Sequence, residues 1–303
     1  AYNNRVQMQY SDYNQYVNNY TATYQYDDAG RLIREERQPM RLPRFAYGYE
    51  YDRAGNQTKR WRDDNGQFTE SQTRVYNGFG QLVGVNQYGT QLTYRYRPDG
   101  MRHSKASTDY GVTYTTIHHW DGQNMVMEAN GATGATKGRY LRGTNLLAQE
   151  IDGAKYYYTF NAHGDVIQRI RDNGDAAPRY DYDAFGNELT YNTDPNPFRY
   201  CGEYWDDETN LIYLRARYYD SKTGRFISKD SHWNNDNMIY GDKPRQINKK
   251  EQQFRCDYLL EQSKHPNYEE STSHNIRGQH VNSLYSLCCI LNQLLYVPDW
   301  VCA

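Results

Sequence analysis

Cysteine is scarce and poorly placed to build structure. The five residues are Cys201, Cys256, Cys288, Cys289 and Cys302, with no Cys-x-x-Cys pair among them. An odd, back-loaded set offers neither a disulfide framework nor a spacing-defined zinc site, so no metal or other cofactor is expected. Phenylalanine occurs only eight times in 303 residues, and hydrophobic residues make up 37%. No apolar run reaches the roughly 20 residues that cross a bilayer, so no membrane span is expected. No secretory leader opens the chain; Ala1 in place of Met leads us to expect a fragment, which leaves export open. A surplus of one charge is also missing. The net charge is −2 with both signs interspersed, and no nucleic acid is expected as main partner, because phosphate binding needs clustered Lys and Arg.

What the chain has instead is tyrosine, 33 residues of it, within a 15% aromatic content. Disordered chains of low hydropathy are poor in aromatics, so disorder is rejected. Tyrosine suits a polar chain that folds through strands, since its ring buries while its hydroxyl stays hydrogen-bonded. One unit recurs: an alternating strand, an aromatic-Asp pair or near equivalent, two residues, Gly, then a second strand. It reads Tyr26-Asp27-Asp28-Ala29-Gly30, Tyr51-Asp52-Arg53-Ala54-Gly55 and Tyr76-Asn77-Gly78-Phe79-Gly80, and continues through Gly100, Gly122, Gly143, Gly164 and Tyr182-Asp183-Ala184-Phe185-Gly186. Eight units spaced by 20–25 residues constitute an internal repeat. The Asx side chain accepts backbone N–H groups two residues on, and glycine supplies positive φ. Period-two flanks such as Tyr20-x-Ala22-x-Tyr24-x-Tyr26 predict antiparallel hairpins with tyrosines lining one face.

Tyr-Asp-x-x-Gly at this period resembles the YD, or Rhs, repeats over residues 20–245. The resemblance implies an all-β fold, with tandem hairpins forming part of a spiral β-shell that encloses a cargo polypeptide. After Asn196-Pro197 the grammar changes to Gly202-Glu203-Tyr204-Trp205-Asp206-Asp207, Arg217-Tyr218-Tyr219-Asp220 and Gly224-Arg225-Phe226-Ile227-Ser228-Lys229-Asp230. This stretch is similar to the Rhs-associated core. The expected organisation is a leading strand region at 1–20, repeats at 21–195, the core at 196–245 and a variable tail at 246–303. Eight units look too few to close a shell, so open sheet edges are expected.

In the family the core plugs the shell and in many members is an aspartic autoprotease. The resemblance implies a dyad of Asp207 and Asp230, with Asp220 as rival and Arg217 biasing their ionisation; two nearby carboxylates share a proton. Without the family, these acids read as turn formers or surface ion pairs. Ser231-His232-Trp233 follows Asp230 where relatives often carry proline, which favours plugging over self-cleavage. The tail shows leucines at helical spacing over 283–297, and His265, His274 and His280 lack matching acid or thiol spacing. Expected partners are the chain's own C-terminal effector segment, the missing N-terminal repeats, and secretion-system or carbohydrate contacts, at a secreted or cell-surface bacterial location. Two other readings compete: a non-enzymatic adhesin stacking sugars on Trp61, Trp120, Trp205 and Trp233, and a toxin residing wholly in the tail.

Overall fold

The computed structural model describes residues 4–10, 19–189 and 193–230. The expected helix at 283–297, the tail histidines, Trp233, core residues 231–245 and every cysteine except Cys201 lie outside them. Fifteen strands, from Gln7–Tyr10 to Val166–Arg171, form one antiparallel sheet in unbroken sequence order. A second sheet of four short strands, Tyr204–Asp206, Leu211–Leu214, Arg217–Asp220 and Arg225–Phe226, is built by the core segment.

The repeat unit folds as its chemistry dictates. Asp27 Oδ1 accepts the N–H groups of Ala29 and Arg31 at 3.1 and 2.8 Å, and Asp183 Oδ1 those of Phe185 and Asn187 at 2.8 and 3.0 Å. Gly30 and Gly186 take φ of 75° and 86° in these turns. Gly143 also marks a turn, where its N–H donates to the Asn145 carbonyl at 2.9 Å, but it does not adopt left-handed backbone.

The other edge of the sheet uses a second turn. Asn65-Gly66, Tyr88-Gly89, Tyr110-Gly111 and Asp152-Gly153 each hold two successive residues at φ between 47° and 91°. Two left-handed residues in a row are the type I′ requirement. Asparagine or aspartate tolerates this backbone, whereas tyrosine does so at a cost of roughly 1–2 kcal/mol. Tyr110 is 98% exposed and gains little from burial. Tyr110→Asn is therefore expected to raise the unfolding free energy by about 1 kcal/mol, read as a higher urea midpoint at unchanged slope. An unchanged or lower midpoint would refute this account of the turn.

Tyrosine rather than phenylalanine fills the aromatic slot because its hydroxyl stitches successive units together. Within each unit the slot residue pairs across a bulge with the first inward residue after the turn: Tyr51 with Gln57, Tyr76 with Leu82, Tyr96 with Arg102 and Trp120 with Met125. The same slot residue then reaches back one unit. Tyr51 Oη donates to the Leu32 carbonyl at 2.8 Å, Tyr76 Oη to that of Gln57 at 3.1 Å, and Tyr96 Oη to that of Leu82 at 2.7 Å. Where tyrosine is replaced, another donor takes over: Trp120 Nε1 bonds the Arg102 carbonyl at 2.8 Å and Arg142 Nε the Met125 carbonyl at 3.0 Å. Tyr182 Oη continues the series on Val166 at 2.9 Å. Phe160, which has no donor, is the gap in it.

The inward face buries Leu82, Leu92, Tyr94, Met125, Leu146 and Val166 against Tyr204, Leu211, Tyr213, Tyr218 and Ile227 of the core segment. Each large apolar side chain so buried contributes roughly 1.5–3 kcal/mol. The large sheet curls around the small one. Arg5, just before the first strand, lies over the Phe185 ring at 4.9 Å and donates to the Thr223 carbonyl at 3.2 Å. Beyond the last strand, Asn187 in the turn at 183–187 donates to the Ser221 carbonyl at 3.0 Å. The start of the sheet and the turn at 183–187 beyond its last strand thus both rest on residues 221–225. Among the described residues no backbone ladder joins the first strand to the fifteenth. The fifteenth is nonetheless partly covered, since the Ala177 and Tyr180 N–H groups bond Arg169 and Ile167 at 2.8 Å each.

Candidate functional site

The core segment is held by charge as well as by aromatic packing. Arg102 stands two residues after the turn glycine Gly100, a slot that holds Leu32, Leu82 and Val166 in other units, and it is 0% exposed. Its position is fixed by the turn before it: Gly100 N–H donates to the Arg97 carbonyl at 3.0 Å and Arg97 N–H to that of Met101 at 2.8 Å. Its guanidinium lies among four tyrosine rings, with Tyr213 at 4.3 Å, Tyr204 at 5.0 Å, Tyr94 at 5.4 Å and Tyr218 at 5.9 Å. Ring faces attract a cation most strongly where water is excluded.

Arg102 Nη1 pairs with Asp206 Oδ2 and donates to Tyr218 Oη at 3.1 Å. The other oxygen of Asp206 takes Lys105 Nζ at 3.2 Å, and Lys105 also reaches Glu208 Oε2 at 2.7 Å. Asp206 ends its strand, and its carbonyl accepts the Asn210 N–H at 2.8 Å. Burial pushes the Asp206 carboxyl up, but Arg102 and Lys105 more than reverse that and hold it below the ordinary carboxylate range. With both oxygens engaged by cations, Asp206 is neither a base nor a nucleophile. It is an anchor.

The clasp extends sideways. Arg102 Nε donates to His118 Nδ1 at 3.3 Å, and burial first, then Arg102 and Lys105, push His118 well below its usual pKa. Glu128 accepts the Tyr204 hydroxyl at 2.5 Å and also that of Tyr140. A second buried pair joins Arg169 to Asp194, with Tyr180 Oη donating to Asp194 Oδ2 at 2.9 Å. Burial raises these tyrosines, Tyr213 to about 12, so each keeps its hydroxyl proton. Together these contacts can fix one segment inside another.

The acids singled out from sequence are placed differently. Asp207 is exposed in the turn beyond the Asp206–Leu211 pair. Asp230 meets Arg217 Nη2 at 3.1 Å, at the end marked by the Leu214–Arg217 pair. Three residues separate Leu211 from Leu214 along their strand, which at about 3.3 Å per residue sets the two ends some 10 Å apart. The register sets Asp207 at one end of this strand pair, and Arg217 with its partner Asp230 at the other. Asp220 is a buried turn former, its Oδ1 accepting Lys222 N–H at 3.0 Å and its carbonyl Gly224 N–H at 2.8 Å. Sequence reasoning missed Arg102, Lys105, His118, Glu128 and Asp206. A charged residue in a slot otherwise holding leucine is the signal that could have exposed Arg102.

Residues 1–259 match the family described as Teneurin YD-shell. Over 188 residues, 59% of this chain, the sequence is 34% identical to the tRNA3(Ser)-specific nuclease WapA of Bacillus spizizenii. Over 241 residues, 67% of the chain, it is 29% identical to the double-stranded DNA deaminase toxin A of Burkholderia cenocepacia. The matched stretches span 8% and 16% of those relatives' lengths. The solved TcdB2-TccC3-TEV structure is similar over 69% of this chain and 14% of its own, with 18% identity and a TM-score of 0.44.

Proposed function

Because the chain belongs to the Teneurin YD-shell family, we propose that it is a wall segment of a secreted or cell-surface bacterial toxin-delivery shell, with the core segment as its plug and a polypeptide effector as its cargo. The observation that carries this reading is the clasp: a repeat arginine and a core aspartate, both with side chains 0% exposed, lock the small sheet inside the large one. The relatives named as a nuclease and a deaminase toxin support a cargo-bearing shell, and neither activity is assigned to this chain. The reading gives Asp207 and Asp230 no shared chemistry. The adhesin alternative needs accessible tryptophans, whereas Trp61, Trp120 and Trp205 are half-buried, and Trp120 is spent on the Arg102 carbonyl.

Limited trypsin digestion of the whole chain tests enclosure, because Lys249, Lys250, Arg255, Lys264 and Arg277 make the tail cleavable. A protected tail that becomes cleavable in Asp206→Ala is the expected result. Immediate loss of the tail from an intact body would overturn enclosure. The mass of the purified chain should be that of all 303 residues, and a fragment that disappears in Asp207→Asn or Asp230→Asn would restore self-cleavage.

A further inference from the structure

Where the repeat turn at 161–165 meets the core turn at 200–202, three side chains of different chemistry converge. His163 Nδ1 lies 2.9 Å from Asp165 Oδ1 and 3.9 Å from Cys201 Sγ. All three donor atoms lie within 4.8 Å of one another. We propose that His163, Asp165 and Cys201 bind a zinc-like transition-metal ion that rivets the repeat wall to the core segment.

The donor set decides the class of ion. Imidazole nitrogen, carboxylate oxygen and thiolate sulfur suit zinc and its neighbours, whereas calcium and magnesium ask for oxygen ligands alone. Zinc bonds of about 2.0–2.3 Å in a tetrahedron require donor separations of some 3–4 Å, which small side-chain adjustments here supply. The surrounding groups already orient the ligands. Asn161 Nδ2 donates to Asp165 Oδ2 at 2.8 Å, and the Cys201 N–H donates to Asp165 Oδ1 at 2.8 Å. Such outer contacts are what fix ligand geometry in metal sites. The His163 side chain is 26% exposed, so water can enter and supply a fourth ligand.

Without a cation the cluster is poorly suited to other chemistry. Asp165 and Cys201 both address the same nitrogen of His163, so no relay through the ring exists. A bound cation deprotonates a coordinating thiol. On binding, the thiol proton leaves to solvent, and the ring coordinates through an unprotonated Nδ1 with its proton on Nε2. Ligand spacing in sequence hides the site, because its thiol lies 36 residues from Asp165.

Cobalt(II), titrated into the full chain, reports thiolate coordination by its charge-transfer absorbance. We expect the band in wild type and in a variant with Cys256, Cys288, Cys289 and Cys302 all changed to Ser. It should vanish in Cys201→Ser, and the apparent affinity should fall at least tenfold in His163→Gln. Zinc should raise the melting temperature of wild type and leave that of Cys201→Ser unchanged. Near-ultraviolet circular dichroism shows whether the variants are folded, and Asp165→Asn gives a second, isosteric variant that should also weaken binding. No band in wild type, a band that survives Cys201→Ser, or one abolished by the four tail substitutions would each overturn the proposal.

Discussion

Asp206→Ala is expected to lower the unfolding free energy by about 3–5 kcal/mol, while Asp207→Ala, one residue further on, should change it by less than about 0.5 kcal/mol. The first change strips the counter-ion from Arg102, whose side chain is 0% exposed. Arginine cannot shed its proton, so the charge stays uncompensated in the interior. Lys105 loses one of its two carboxylates as well, keeping Glu208. Asp207 has an exposed side chain and no such debt. Urea denaturation of both variants beside wild type measures the contrast. Equal effects at the two positions would show that the clasp does not hold the core. Arg102→Met paired with Asp206→Leu gives the complementary result: replacing both partners by apolar groups should recover most of the loss, since the penalty lies in the unpaired charge.

Stability is expected to fall as pH drops below about 6.5, and His118 should account for part of the slope. Its side chain is 0% exposed, and burial together with Arg102, Lys105 and Lys137 disfavours the imidazolium. Glu128 lies 3.6 Å from Nε2, but its oxygens already accept the hydroxyls of Tyr204 and Tyr140. The folded pKa is therefore depressed. Above about 6.5 neither state protonates His118, and the fold keeps its full stability. Below that value the unfolded chain takes up a proton that the folded chain refuses, at a cost of about 1.4 kcal/mol per pH unit until the folded pKa is reached. Asp206, whose folded pKa is also lowered, loses its contribution only as pH falls past the ordinary carboxylate value of 3.8 toward its folded one. His118→Asn retains an acceptor for Arg102 and removes the titration. Urea midpoints at pH 7.5, 6.5, 5.5 and 5.0 should then fall less steeply in the variant. Parallel slopes would assign the acid sensitivity to other groups.

The repeat was legible because its chemistry is local. Asx before the turn, glycine at positive φ and period-two flanks all lie within a dozen residues, and the strands follow from them. The second edge of the sheet was less visible. Asn65-Gly66 and Asp152-Gly153 carry a readable turn signature, but Tyr88-Gly89 and Tyr110-Gly111 place tyrosine where its backbone preference argues against it. The clasp was hidden for another reason, since an arginine in a strand reads as a solvated face until something covers it. Strand parity still held a clue. Tyr204 and Asp206 share one face of their strand and Trp205 takes the other, so an inward Tyr204 commits Asp206, not Asp207, to the interior. The motif resemblance led instead to the more exposed neighbour. Proximity between residues far apart in sequence, such as Arg102 with Asp206 or His163 with Cys201, follows from the curl of the sheet, which no local pattern encodes.

The backward reach of the tyrosine hydroxyls gives the wall a grain. Each donor meets a carbonyl belonging to the hairpin made before it, so its acceptor already exists when the donor leaves the ribosome. Chains emerge N-terminus first, and repeat arrays draw their stability from nearest neighbours. Such a wall can be laid course by course in the order of synthesis, without waiting for distant sequence. The core segment follows the repeats, onto a surface that is already built and already carries Arg102 and its neighbouring rings.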